Sequence, residues 1–238
     1  MTRLNIIDNT RGIAFILMVI HHIFYFYDVN NKYQTSLARN PIIDNVGFIS
    51  RNLFLFLTGY SLAINYSEKK YKNKKKFIYE RLKKSLLILI HAFIISIITY
   101  YFYSDYYIRF GVLHFIGIST FLLSIIIPYK SLYPFIFLIC LYLKNNINQI
   151  PEINLIIDTI LGTRISFNMI DYFPLIKNMP IVLLGMMGTF INTDILQNIN
   201  IFNHQNILTD IGTNTLNLYT LHIVGLILIY VKFFTNKL

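Results

Sequence analysis

The chain has 238 residues, 55% of them hydrophobic and 16% aromatic, and it carries a formal net charge of +10. Its apolar residues form long unbroken runs, which exclude a typical soluble domain and indicate transmembrane helices. The charge would suggest nucleic acid in a soluble protein, but most of it lies in KKYKNKKK and the following RLKK, with no nucleic-acid-binding motif.

The lipid core of a membrane leaves no exposed backbone polar group unpaired, so the spans should be helical. We predict an all-α polytopic transmembrane bundle of about seven spans that forms a single integral membrane domain over residues 1–238. The predicted spans are 9–27, 47–65, 85–103, 110–128, 132–143, 173–191 and 211–233. The fifth is short for a bilayer that needs about 20 residues. A single cysteine, Cys140, excludes an internal disulfide.

The first predicted span carries its polar groups at its two ends. At about 100° per residue, Arg11 and His22 fall within about 20° of each other on one helical face. About 16 Å of helical rise separates them. Ionisable groups within spans usually face an interior cavity and mark function. The alternative is that Asp8 and Arg11 mark an interfacial helix start, while His22 makes a hydrogen bond inside the bundle.

The second span, which contains Arg51, leads into a strongly basic connection. Residues 66–84 include nine lysines and arginines, and such residues concentrate in cytoplasmic loops. We therefore predict that this loop and the N-terminus are cytoplasmic, with the C-terminus and the 28–46, 104–109 and 144–172 connections on the other side. The basic run is foremost a topology signal, but it could also attract anionic lipid headgroups or a phosphorylated cosubstrate.

The fourth span opens with RFGVLHFIGIS. Gly111, His114 and Gly117 are spaced three apart, so two glycines flank a histidine on nearly one face, and small residues let helices approach closely. By the predicted topology, His114 and the preceding Arg109 lie at the same outer end as His22. The alternative is a packing seam with one satisfied histidine.

The sixth span opens with DYFPLI, in which Asp171 and Pro174 form a plausible helix start. Ordinary capping explains this pair, but Asp171 also adds a carboxylate to the outer rim. A metal site made from His22, His114 and Asp171 has no supporting ligand spacing, and we predict no metal.

The seventh span carries a polar stripe. Small and polar residues recur there every three or four positions, at Gly212, Thr215, Tyr219 and His222. Such a stripe either lines a cavity or forms hydrogen bonds between helices.

Taken in order, five blocks resemble the bacterial relatives of heparan-alpha-glucosaminide N-acetyltransferase, a family of membrane acyltransferases. The blocks are DNTRGIAFILMVIHH, SRNLFLFLTGYSLA, FGVLHFIGIS, DYFPLIKNMPIVLLGMMG and GTNTLNLYTLH. Each is weak alone, but the five together keep the order of the family's pattern over nearly the whole chain.

The resemblance implies acetyl-CoA as a cosubstrate on the cytoplasmic side and a sugar amine or hydroxyl as acceptor on the far side. On this basis we assign catalytic roles to His22, His114 and Asp171. Acetyl-CoA binding is assigned to Arg11, Thr215, Tyr219 and His222. Acceptor binding is assigned to Asp28, Arg51 and Arg109.

The chain also departs from the family's pattern. Bacterial members place the first-helix histidine about one turn before an aspartate, whereas six positions separate His22 from Asp28 here. No histidine lies between His22 and His91, which disfavours a covalent acetyl-histidine in the loop that follows the first span. Direct attack of the acceptor on the thioester fits better, because a thioester needs mainly positioning and proton removal by a base such as His22 or His114.

Two other functions stay open. One is a transporter or export component without chemistry, which discontinuous helices or paired inverted halves would favour, but the sequence shows neither feature. The other is an O-acyltransferase of the broader membrane group, which differs only in its acceptor. The expected partners are membrane lipids and a glycan or another small-molecule acceptor, not nucleic acid, and the sequence is compatible with a homo-oligomer.

Overall fold

The computed structural model describes residues 5–31, 35–67, 74–104, 106–163, 169–190 and 205–235. Within these ranges the chain forms helices and connections but no strand, which confirms the predicted all-α class. The α-helices are α1 (Asn5–Asn30), α2 (Pro41–Ser67), α3 (Lys74–Phe102), α4 (Val112–Ile126), α5 (Leu132–Asn145), α6 (Leu155–Leu161), α7 (Leu175–Gly188), α8 (Ile207–Thr213) and α9 (Thr215–Thr235). Two short 3-10 helices cover Leu37–Arg39 and Ile147–Gln149.

Each of the seven predicted spans coincides with an apolar helix in the described part of the chain. In the described part of the chain, α1, α2, α3 and α9 are long and apolar enough to cross a membrane, while α4, α5 and α7 are shorter apolar helices. Large apolar side chains also form an exposed stripe along α3, at Leu86, Ile90, Phe93, Ile97 and Tyr101. A continuous exposed apolar surface of this kind is typical of contact with lipid. The protein is therefore an integral membrane protein.

Helix ends differ from the predicted ends where local chemistry decides them. α4 has only 15 residues, because Pro128 has no backbone N–H with which to continue the helical hydrogen bonds. The predicted 66–84 loop is helical from Lys74 onward, which suits the good helix propensity of lysine and arginine. The predicted 211–233 span is interrupted at Asn214, the residue between α8 and α9.

The chain divides into two compact units. Unit 1 comprises Met1–Phe54 and Asn192–Leu238, and unit 2 comprises Leu55–Ile191, so that the boundary passes through α2. The predicted single domain over the whole chain stays a prediction.

In unit 1, α1 packs against α8 and α9 at very short range. A Cβ atom at Gly12 would collide with the carbonyl oxygen of Leu208, and one at Gly212 would collide with that of Asp8. The hydroxyl of Thr209 donates a hydrogen bond of 2.6 Å to Asn9 across the same contact. The two glycines therefore let the backbones of α1 and α8 touch, as small residues do between membrane helices.

In unit 2, glycines allow an equally close contact between the second half of α2 and α7. A Cβ atom at Gly59 would collide with the carbonyl oxygen of Val182, and one at Gly185 would collide with that of Phe56. In the same unit α3 packs along α4, where the hydroxyl of Ser85 donates a 2.7 Å hydrogen bond to the carbonyl oxygen of Gly117.

Candidate active site

Two histidines from different helices of unit 1 form a hydrogen-bonded pair. α1 supplies His22 and α9 supplies His222, and Nδ1 of His22 lies 2.9 Å from Nε2 of His222. Their rings are nearly parallel, with centroids 5.2 Å apart and an interplanar angle of 7°. Both side chains are half-buried. Sequence analysis selected both residues but gave them different roles, and only the tertiary structure brings them together.

The hydrogen bonds of the pair define its tautomers. Nδ1 of His222 lies 3.3 Å from the carbonyl oxygen of Leu218, which can only accept, so this nitrogen carries the proton. In a neutral ring Nε2 of His222 is then an acceptor, and His22 donates its Nδ1–H to it. Nε2 of His22 consequently carries a lone pair, and no described residue forms a hydrogen bond with this nitrogen. The pair therefore presents one basic nitrogen.

Aromatic rings hold both imidazoles in place. The buried Tyr219 meets His222 edge to face at a centroid distance of 5.0 Å and His22 at 6.4 Å. Phe15 meets His222 edge to face at 5.3 Å, and Phe26 meets His22 at 6.3 Å. Edge-to-face contacts are a preferred aromatic geometry, so these neighbours fix the plane of each ring. Tyr219, predicted to bind acetyl-CoA, thus lies directly beside the histidine pair.

His21, the neighbour of His22 in sequence, has a different environment. Its Nδ1 lies 3.1 Å from the carbonyl oxygen of Ile43 near the start of α2. His21 therefore connects α1 to α2 and is not part of the hydrogen-bonded pair.

Arg11 has a carboxylate partner within α1. Its guanidinium lies 2.7 Å from Asp8, three residues earlier, in an ion pair whose aspartate is buried. This ion pair is compatible with the alternative interpretation, in which Asp8 and Arg11 mark the start of a helix, and acetyl-CoA binding by Arg11 stays a prediction. Thr215 donates a hydrogen bond of 2.6 Å to the carbonyl oxygen of Gly212 at the junction of α8 and α9.

Asp28 organises the connection between α1 and α2. Its buried carboxylate accepts hydrogen bonds from the hydroxyl of Thr35 at 2.5 Å and from the backbone N–H groups of Leu37 and Ala38 at 3.1 and 2.8 Å. The two N–H groups belong to the first turn of the 3-10 helix, where anions are favoured. Acceptor binding by Asp28 stays a prediction, beside this clear contribution to the loop.

In unit 2, His114 lies in the first turn of α4 with both ring nitrogens occupied. Nδ1 accepts from the backbone N–H of Gly111 at 3.3 Å. Nε2 lies 3.3 Å from the hydroxyl of Ser96, which itself donates to the carbonyl oxygen of Ile108 at 2.6 Å. Ser96 therefore accepts the Nε2–H of His114. This is the arrangement of a satisfied histidine, although its role as a base stays a prediction.

Asp171 meets the same helix start. The sequence predicts it as part of the start of the sixth span, but its carboxylate accepts a 3.0 Å hydrogen bond from the backbone N–H of Val112 in α4. Pro174 is the residue directly before the first residue of α7. His114 and Asp171 thus belong together in unit 2, while His22 belongs to unit 1, and the predicted cavity shared by His22 and His114 stays a prediction.

The two arginines assigned to the acceptor each contact an aromatic ring. The exposed Arg51 lies 5.6 Å from the ring centroid of Phe48 in α2. The half-buried Arg109 lies 4.9 Å from that of Tyr107, just before α4. Acceptor binding by both arginines stays a prediction.

Comparison with known proteins places the chain in a family. A family model described as "Heparan-alpha-glucosaminide N-acetyltransferase, catalytic" matches residues 3–224. The match spans nearly the whole chain and includes all five sequence blocks that carry the resemblance. No curated protein and no solved structure matches the chain.

Proposed function

Because the chain belongs to the heparan-alpha-glucosaminide N-acetyltransferase catalytic family, we propose that it transfers an acetyl group from acetyl-CoA to a sugar amine or hydroxyl across the membrane. The membership confirms the resemblance seen in the sequence and supports an acyltransferase of the membrane. The donor, the acceptor and the sides of the membrane on which they bind belong to the proposal.

The basic Nε2 of His22 carries the proposal. In the reaction, the acceptor nitrogen or oxygen attacks the thioester carbonyl carbon and forms the new C–N or C–O bond. Nε2 of His22 takes the proton that the acceptor loses. The C–S bond then breaks, and the same proton passes to the sulfur, so that free CoA leaves as a thiol. Imidazole suits both steps because its unprotonated ring nitrogen can accept a proton and release it again.

His222 prepares His22 for this role. Its Nε2 accepts the Nδ1–H of His22 at 2.9 Å, which keeps the lone pair on the other nitrogen. It can also share the positive charge that develops when His22 is protonated, because an imidazole acceptor stabilises a neighbouring imidazolium. We assign the base to His22 rather than to His114, since Nδ1 of His114 would first have to give up the hydrogen bond that it accepts from the backbone N–H of Gly111.

A transporter without chemistry is the second candidate, because the interruption at Asn214 between α8 and α9 resembles the discontinuous helices of transporters. Enzymatic transfer separates the two functions. Purified protein in lipid is incubated with acetyl-labelled CoA and a panel of amino sugars and glycans, and the label in the acceptor is measured. Label in an acceptor would support the transferase, and the absence of label from every acceptor would contradict it.

The base is tested by His22→Gln, with His21→Gln as the matched control. We expect His22→Gln to lower the transfer rate by about 10²–10⁴-fold, the usual contribution of a positioned base. His21→Gln should retain most of the rate, because a glutamine amide can still donate to the carbonyl oxygen of Ile43. Rates are compared at equal amounts of folded protein. Normal transfer by His22→Gln would remove His22 from the mechanism.

A further inference from the structure

Arg81 is a buried cation without an anion in the described part of the chain. The residue is only 8% exposed. Its Nε is enclosed and has no hydrogen-bond acceptor among the described residues, and no described carboxylate pairs with the guanidinium. Its terminal nitrogens are not among the enclosed, unsatisfied polar atoms of the described residues. Arg11 differs in this respect, since it has Asp8 at 2.7 Å.

The surroundings of Arg81 are basic and aromatic. Its guanidinium lies 5.3 Å from the ring centroid of Phe77, one turn nearer the start of α3, so the side chain points toward that end. Phe77 in turn packs edge to face against Tyr66, the centroids lying 5.1 Å apart. Lys74, two turns before Arg81 on the same face, lies over the ring of Tyr129 at 5.3 Å.

The charge of this helix end favours an anion. The first turn of α3 contains three lysines, from Lys74 to Lys76, and no acidic residue. The N-terminus of a helix adds a partial positive charge. Burial of an unpaired charge is unfavourable, and a cation–π contact compensates for only part of that cost. The contact with Phe77 alone therefore cannot compensate for the burial of the Arg81 charge.

We propose that Arg81 anchors a phosphate-binding site at the Lys74 end of α3. A guanidinium presents several N–H donors that match the oxygens of a phosphate group. Lys74 lies on the same face to meet a second phosphate, and the rings of Phe77 and Tyr66 border the site. Two ligands offer this chemistry: the nucleotide phosphates of CoA and the headgroup of an anionic lipid. The CoA ligand rests on the proposed function, but phosphate binding itself does not.

Binding is measured without turnover, on the purified full chain in phosphatidylcholine nanodiscs. CoA is titrated and the rise in the melting temperature gives its Kd, with pantetheine as the phosphate-free comparison. We expect Arg81→Gln to raise the Kd of CoA by roughly 10- to 100-fold, the effect of one hydrogen bond to a charged group. The Kd of CoA for Arg81→Lys should lie between those of the wild type and Arg81→Gln. The lysine variant keeps the experiment interpretable if the glutamine variant does not fold. Pantetheine binding should be unchanged in all variants.

Lys83→Gln is the matched control. Lys83 is exposed on α3 and lies over the ring of Tyr79 at 4.6 Å, so the variant also removes one charge and one cation–π contact. It should leave the Kd of CoA unchanged. Equal effects of Arg81→Gln and Lys83→Gln would show a general charge effect and overturn the proposal.

The lipid source is tested by adding phosphatidylglycerol to the nanodiscs. Stabilisation by this lipid that disappears in Arg81→Gln but not in Lys83→Gln would support the phosphate site with a lipid ligand. Glu68 is the only carboxylate in residues 68–73. If Glu68→Gln and Arg81→Gln lower the melting temperature equally and change neither CoA binding nor lipid binding, Arg81 forms an ion pair within the chain. That result would overturn the proposal.

The outcomes separate this site from the proposed function. CoA binding that depends on Arg81 in a protein that transfers no acetyl group would keep the site and remove the transferase. Acetyl transfer with a Kd of CoA and a lipid response that do not depend on Arg81 would keep the transferase and remove the site.

Discussion

Replacing His222 by phenylalanine keeps a planar ring beside His22 but removes the acceptor for its Nδ1–H. The new ring can preserve the edge-to-face contact with Phe15, which now has a centroid distance of 5.3 Å. What is lost is the hydrogen bond of 2.9 Å between the two imidazoles. His22 is then free to move its proton to Nε2, and the tautomer that acts as a base is no longer favoured. His222→Gln is the conservative counterpart, because its amide oxygen can accept.

The expected size follows from the lost hydrogen bond. A net hydrogen bond contributes about 0.5–1.5 kcal/mol, and an N–H left without a partner in a buried position costs about 1–3 kcal/mol. Since about 1.4 kcal/mol corresponds to a factor of ten in rate, kcat should fall by roughly 5- to 150-fold. Complete removal of the base should lower kcat further, by about 10²–10⁴-fold. The expected order of kcat is wild type, His222→Gln, His222→Phe and then His22→Gln.

Initial rates with labelled acetyl-CoA at saturating donor and acceptor give kcat, and donor titrations give KM. If His222 positions His22, kcat falls while the KM for acetyl-CoA stays nearly constant. A raised KM at normal kcat would instead support the prediction that His222 binds acetyl-CoA. Wild-type kcat in His222→Phe, or an equal loss in the glutamine and phenylalanine variants, would refute the tautomer argument.

Three further predictions concern packing, the first loop and orientation. Gly212→Ala should lower the free energy of unfolding by about 1–3 kcal/mol through overpacking, whereas Gly225→Ala, which meets no atom within 4 Å, should raise it by up to about 1 kcal/mol; equal melting temperatures would contradict the backbone contact. Asp28→Ala should lower the melting temperature and leave the KM of the acceptor unchanged, whereas a changed KM at an unchanged melting temperature would support acceptor binding. In a Cys140→Ser background, Lys75→Cys should not react with an impermeant thiol reagent added to sealed cells, and labelling from outside would reverse the predicted topology.

Sequence analysis predicted the membrane helices well because hydropathy is a local property. A run of apolar residues favours a membrane whatever its neighbours are, so each predicted span coincides with an apolar helix in the described part of the chain, and four of these helices are long enough to cross a membrane. Helix ends were less predictable. The start of α3 at Lys74 and the interruption at Asn214 depend on how charged and polar residues continue or end a helix beyond the apolar run.

The sequence by itself determined the class of the protein, its family and the polar residues worth testing. Only the tertiary structure decided what those residues contact. His22 and His222 are 200 positions apart, and no local pattern encodes that their rings meet or that Leu218 sets their tautomers. Arg81 likewise stood among nine basic residues of one segment. Its burial depends on which face of α3 packs inward, and that face is chosen by long-range contacts that hydropathy and spacing do not contain.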